Sequence, residues 1–560
     1  MRNIYRILIA FILVFFSGCG KEFIDLKQQG KLTDQNYFDD GNNAVMFINA
    51  CYDAISWDEG IYLGAEQTNH FYEWLYGDVL SDDSKKGSQP DDYQEVRELE
   101  EWRQKSSSGF SKSMWMASYK GLFRINMAIL RLPNAQINEQ LKERLLGEAY
   151  FLRGYTYFYL IRLFGGVPLF TEPVKPSEYK STKRASIAEV YMQIESDFNN
   201  AITRLPEKSE YSAVDLGRAT KGAATAFLAR AIMYQIGTDN SNNHDWKEVY
   251  DLTDAIIKSG EYELYPNYAA ISEMDGENCS ESIFEIQFAD NNESWGTVKA
   301  GTTASVFQGN RTMTSHPAYK AESKLKGEPE GWGFNTPTID LVNSYETGDP
   351  RRPCTAYGDG EVAHGIFQHV DPIYSGGTGY YNRKARIDPE FVPISMKSSP
   401  TNIRKFRYAD ILLMQAEAAY YMGNEGVAKL RVNEVRERAR QSTKPKGSTE
   451  GKNSYVAYRA DEIPANLLPD ITSSGEQLLQ AIWSERRHEL GMEAIRYWDL
   501  VRTGRYYDAL TRKFPDNPEV LASCILHSIP AGGNVVNPIP VVPIPVSEAT
   551  SYGLEQNPGY

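Results

Sequence analysis

Five cysteines are scattered through 560 residues, at positions 19, 51, 279, 354 and 524. No two stand at the short spacing of a metal-binding pair, so a zinc ribbon is not expected. Buried free thiols are the expected state of the four beyond Cys19. Excess positive charge is also missing. The formal net charge is -15 and the isoelectric point is near 5.2, which argues against nucleic acid as a partner. The chain lacks a Gly-x-Ser-x-Gly elbow, a phosphate-binding loop and a His-Glu-x-x-His helix. Long apolar runs are absent too. The longest, Ile7 to Phe16, is too short to cross a bilayer, which needs about 20 residues.

That short run is informative in its place. Arg2 and Arg6 precede it and Ser17-Gly18-Cys19 follows, so residues 1–18 read as a signal peptide. Small residues before a cysteine resemble a bacterial lipobox, with Phe16 where leucine is usual, and Cys19 is the expected lipidation site. Lys21-Glu22 resembles the acidic signal that sends such lipoproteins to the cell surface. Residues 19–41 read as a tether.

With 41% hydrophobic and 24% charged residues the chain is globular. Leu141 to Phe170 reads as the central element. Leu141, Leu145, Ala149, Leu152, Thr156, Tyr159 and Leu163 recur at helical spacing, and Gly165-Gly166-x-Pro168 is a stop signal. Tyrosine and phenylalanine cover several faces of this helix, so other helices must surround it. Further helices are expected over 42–56, 114–132, 186–204, 218–236, 245–257, 408–424, to about 440, and 477–501. Capping boxes are expected at Ser186/Glu189 and Asp245/Glu248, with another capping signal at Ser474/Gln477. The run from Tyr408 to Asn424 has the small-residue placement of a tetratricopeptide repeat. Three to four helical hairpins, packed as a superhelical scaffold, follow from this pattern.

Two stretches break the periodicity: 57–110, and an insertion at 262–400 whose clearest strand candidate is 282–288. Long loops in compact domains are usually functional. Glu485-Arg-Arg-His-Glu489 is read as arginine–carboxylate pairing inside the scaffold. The stretch with Glu361, His364, His369 and Asp371 is read as a solvated loop, with no metal.

Four runs resemble the SusD/RagB family: FLRGYTYFYLIRLFGGVPL at 151–169, Asp349-Pro-Arg-Arg352, ERRHELGMEAIRYWDLVRTG at 485–504, and the closing PIPVVPIP with QNPGY. They occur in family order. The resemblance implies a mainly α SusD-like fold with tetratricopeptide-like hairpins and a loop-rich insertion carrying short strands. Residues 42–261 would form the N-terminal helical region and 262–560 the C-terminal one. It implies an outer-membrane lipoprotein that binds a glycan and passes it to a SusC-like TonB-dependent transporter, without catalysis or cofactor. A peptide ligand, as in RagB-type members, is the alternative, and a secreted glycoside hydrolase is a more distant one. The family places its ligand on the two loop regions. Aromatic rings there can stack on sugar faces, so the expected ligand residues are Trp57, Trp74, Asp83, Lys85, Trp102, Trp295, Trp332 and Tyr380, with Asp82 beside them.

Overall fold

The computed structural model describes residues 37–57, 62–63, 66–67, 73–175, 178–179, 182–238, 244–289, 301–326, 331–391, 398–530 and 537–560. Cys19, the signal segment and most of the tether lie outside the described residues, as does Trp295. No described helix is long and apolar enough to cross a membrane.

The helices that carry the fold are α1 (Gly41–Ser56), α2 (Gln94–Glu100), α3 (Gly109–Arg131), α4 (Glu139–Phe164), α5 (Ile187–Ile202), α6 (Lys221–Thr238), α7 (Trp246–Ser259), α8 (Ala304–Gln308), α9 (Tyr408–Tyr421), α10 (Glu425–Arg440), α11 (Glu476–Leu490) and α12 (Arg496–Arg502). Short strands are β1 (Ser84–Gly87), β2 (Ser282–Ile286), β3 (Phe334–Pro337), β4 (Ala356–Gly358), β5 (Tyr380–Asn382) and β6 (Ile403–Arg407). The fold is mainly α. Helices α4 through α7 pack in sequence, each on the next. Helix α7 then packs on α9, and α9 on α10 and α11. The helical series therefore continues across the insertion. The insertion leaves and returns at one antiparallel pair, β2 with β6, and β6 runs directly into α9.

Helix α4 is buried on nearly every face from Leu145 onward, as its all-round apolar pattern requires. Several of its polar groups are matched. Arg153 forms a two-pronged pair with Asp197 at 2.9 and 2.7 Å, and the Tyr157 hydroxyl bonds the Phe170 backbone on both sides. The helix ends at Gly165, whose φ of 69° and ψ of -141° lie in a region almost closed to side chains. Its orphan carbonyls are claimed by the end of the chain. Val542 N–H donates to Leu163 O at 2.9 Å, Asn557 Nδ2 to Phe164 O at 3.0 Å, and Arg184 Nη2 to Phe164 O at 2.9 Å. A cation at a helix C-terminus also suits the dipole. The proline-rich closing segment is thus the cap of the central helix.

Both capping boxes form as expected at Ser186/Glu189 and Asp245/Glu248. The signal at Ser474 does not act as a cap. Gly475, at φ 58°, is the N-cap of α11, and Ser474 Oγ instead accepts from Lys429 Nζ at 2.8 Å. The four described cysteines are free, and three of them are buried.

The charged run at 485–489 lies in a buried ion network, in agreement with its structural reading. Arg351, fully enclosed, pairs with Asp349 at 2.8 Å and with Glu485 and Glu489. Arg438 and Arg407 also reach Glu489, and Arg436 reaches Glu485 at 3.0 Å. The solvated-loop reading of 361–371 needs correction at His364. That ring is buried, accepts from Arg386 Nε at 2.8 Å, and is held neutral by burial and then by the neighbouring arginines.

Candidate ligand-binding site

Strand β1 belongs to the first loop region and β3 to the insertion. They pair antiparallel, Ser84 opposite Pro337 and Gly87 opposite Phe334. The two irregular regions therefore meet, and the register is pinned from below. Asn335 Nδ2 donates to Asp78 Oδ2 at 3.1 Å and to Gln308 Oε1 at 2.6 Å, while Ser84 Oγ donates to Asn335 Oδ1. Burial pushes the Asp78 carboxyl up to about 7.

Above this pairing stands a ledge of rings. Tyr93 is 41% exposed and sits at φ 41°, an uncommon conformation for a bulky residue. Its ring is propped by Phe110, Phe307 and Phe334, with centroids 6.4, 6.0 and 5.5 Å away. Trp332 is half-buried and edges onto Phe307 at 4.6 Å, and its N–H is tied to Val306 O at 2.8 Å. The ledge continues through Arg311, whose Nη1 bonds Ser88 Oγ at 2.8 Å and Asp92, and whose guanidinium lies over Tyr374 at 5.9 Å. Half-buried His316, Tyr319 and His369 extend it, the last two stacked at 4.1 Å. Behind α8 lies a cavity of about 120 Å³, lined by Trp74, Ser305, Gln308, Asn382, Asn402 and Arg404 among others.

Chemically this is a stacking surface with a mixed-charge edge. Flat faces are presented by Tyr93 and Trp332, and hydroxyl-bonding groups by Arg311, Asp92 and Ser88. The Arg311–Asp92 pair is only partly buried, so both partners keep valences that face water.

The sequence-predicted residues divide. Trp332 stands on the ledge. Half-buried Tyr380, on β5, fits its ring beside Gly358, where a Cβ would come within 2.9 Å. Trp74 is 6% exposed and contacts Phe307 at 6.1 Å, so it underlies the ledge and lines the cavity. Lys85 opens on a separate recess of about 190 Å³ with Asp82, Asp340 and Arg512, because alternate residues of a strand face opposite ways. Trp74 is thus buried against expectation, and three further expectations of exposure are corrected. Trp102 is 1% exposed and donates to the Tyr506 hydroxyl at 2.8 Å. Asp83 is fully buried and holds Arg487 Nε at 2.6 Å. Trp57, 2% exposed, donates to Asp53 one turn back and forms part of a different, aromatic groove with Trp115 and Tyr119. Each is a side chain that the scaffold needs.

Sequence reasoning missed Tyr93, Phe307, Arg311 and Tyr374. Tyr93 had a signal: it follows the turn Gln89-Pro-Asp-Asp and precedes a helix, a place where an aromatic has no regular face to enter. The others had none.

A family model described as "Starch-binding associating with outer membrane" matches residues 38–233, and the "SusD family" model matches residues 371–560. The chain belongs to the SusD/RagB family. It is 25% identical over 534 residues to SusD-like protein P38 of Formosa agariphila, covering 91% of this chain and 94% of that one. A solved laminarin-binding SusD-like protein superposes with a TM-score of 0.70 at 26% identity, over 93% of this chain and 99% of that one. Surface glycan-binding protein A from Bacteroides fluxus gives the same figures. The SusD-like fold, with helical hairpins around a loop-rich insertion, is therefore established for this chain, and the β1–β3 pairing is where its two irregular regions converge.

Proposed function

We propose that this SusD-family chain is a cell-surface lipoprotein that captures a glycan on the Tyr93–Trp332 ledge and hands it to a SusC-like TonB-dependent transporter for import. It breaks no bond. The observation that carries this reading is an exposed tyrosine in a strained backbone, propped beside a half-buried tryptophan, in a family whose similar members are named for glycan binding. Rings that serve only the core have no reason to be held in this way.

The test is calorimetry on a panel of soluble glycans, with laminarin first because a similar protein is named for it, and with peptides alongside. Tyr93→Ala and Trp332→Ala should each weaken glycan binding about tenfold or more, a change of ~1.4 kcal/mol, and leave the melting temperature nearly unchanged. Binding should persist in high salt, because stacking on rings is only weakly charge-dependent, unlike contact with phosphates. Peptide binding without glycan binding would move the reading to a RagB-type peptide receptor. Release of reducing sugar from the panel would replace it with a hydrolase.

The anchor is tested separately. Cys19→Ala should shift the protein from the membrane to the soluble fraction, since stable attachment needs the acyl chains that cysteine carries. A variant that remains in the washed membrane pellet refutes the lipobox.

A further inference from the structure

Beneath the cavity of the candidate site lies a second, smaller one of about 40 Å³. It is lined by the C-terminal turns of α4, by α6 and by α12, with Met414 of α9 and Arg486 of α11, and shares Glu73, Arg404, Lys405, Glu493 and Ala494 with the cavity above. Its walls are rich in cations, and the pairing of each can be followed. Arg230 pairs with Asp410 at 2.5 Å, and Arg486 with Asp410 and Asp499 at 2.6 and 3.0 Å. Arg502 pairs with Glu417 and Asp499 at 2.8 Å each. Lys405 pairs with Glu73, and Arg404 faces Glu285 at 3.6 Å.

Arg162 is the exception. Among the described residues no carboxylate comes within 4 Å of it. Its Nε donates to Phe158 O at 3.1 Å, and its guanidinium is sandwiched between the rings of Phe158 and Trp498, 4.3 and 4.5 Å from their centroids. Arg162 is half-buried, and desolvation in the recess disfavours its charge. The ring faces offset part of the cation. They do nothing for the in-plane Nη hydrogens, which have no acceptor among the described residues.

Two further polar groups of the same wall are also unmatched. Trp498 Nε1 and the Tyr234 hydroxyl are buried without a hydrogen-bond partner, on side chains each 5% exposed. Trp498 Nε1 can only donate. The recess is also lined by Glu73, Asp499 and Glu493, each held by its own cation, Glu493 by Lys384 at 2.6 Å and Arg407 at 2.9 Å. Among the described residues Arg162 is therefore the one lining cation without a carboxylate, and the three unmatched side chains offer donors with a single hydroxyl as acceptor. A water placed there would leave the charge of Arg162 uncompensated. An anion accepts from every side and neutralises Arg162, and the volume suits a single small ion.

We propose that this recess is a binding site for one small monovalent anion of chloride size, held by Arg162, Trp498 and Tyr234. It is independent of the glycan reading. Bound there, the ion would tie the end of the central helix to α6 and α12 and so stabilise the scaffold.

The experiment compares thermal melts of the full protein in sodium chloride and sodium gluconate at equal ionic strength, together with anomalous diffraction from crystals grown in sodium bromide. A melting temperature that rises by a few degrees and saturates with chloride, and a bromide peak within the cavity, are expected. Trp498→Phe keeps an aromatic face for Arg162 but removes the N–H donor, so it should abolish most of the chloride-dependent rise; Arg162→Met should abolish all of it. If Arg162→Met does not fold, Trp498→Phe and the wild-type bromide data still decide. Superimposable melts in the two salts, with water in the cavity or bromide bound at crystal concentration only, would overturn the proposal.

Discussion

Arg351→Ala should destabilise the protein by about 3–5 kcal/mol, the range seen when one partner of a buried ion pair is removed. The size follows from what is left behind. Asp349, Glu485 and Glu489 are all buried and all bond this one guanidinium, directly at 2.8 Å in the case of Asp349. Arg438, Arg407 and Arg436 supply positive charge to the same carboxylates, but none of them reaches Asp349. Arg351→Lys should recover only part of the loss, because an ammonium is a point charge without the planar fork that bonds three acids at once. Lys247→Ala is the control. Its pair with Asp251 is exposed on both sides, and such a pair contributes little to stability. Urea unfolding of the three variants measures the differences. If Arg351→Ala moves the midpoint no more than Lys247→Ala does, the network is not a stabilising feature of the fold.

Gly237→Ala should also destabilise, by about 2–3 kcal/mol, and here local and tertiary reasoning give opposite signs. Gly237 lies inside α6, where replacing glycine by alanine ordinarily adds up to ~1 kcal/mol of helix stability. But the last residue of α12, Arg502, abuts α6 at that point. A Cβ built on Gly237 would stand 2.1 Å from the backbone oxygen of Arg502, and a main-chain carbonyl at a helix contact cannot rotate away. The two helices would have to separate, at the cost of overpacking. Gly260→Ala is the comparison on space alone, since nothing lies within 4 Å of its added Cβ. Its φ of 69° still makes that change mildly unfavourable. A stabilised Gly237→Ala would show that α6 and α12 do not approach so closely.

Near-neighbour relations along the chain were enough to define most of the scaffold. The central helix, its glycine stop, two capping boxes and the helix pair at 408–440 depend on residues within a few positions of each other. Their physics, whether an i, i+4 bond, a cap or a left-handed turn, is complete before the chain folds up. The role of Glu485 to Glu489 could also be read, because dense opposite charge on an otherwise buried helix has few stable outcomes.

The site was decided elsewhere. Trp57, Trp102 and Trp332 all lie in irregular or turn-rich sequence, and nothing local distinguishes them. Trp102 is sealed by Tyr506, 404 residues further on, and Asp83 by Arg487, a similar distance away. Trp332 is held half-buried against Phe307, the ring that also props Tyr93, where β1 and β3 pair. An aromatic side chain has the same apolar faces and the same few polar atoms whether it fills a core or meets a ligand. Which it does depends on the partners that long-range contacts bring to it, and those contacts exist only in the folded chain.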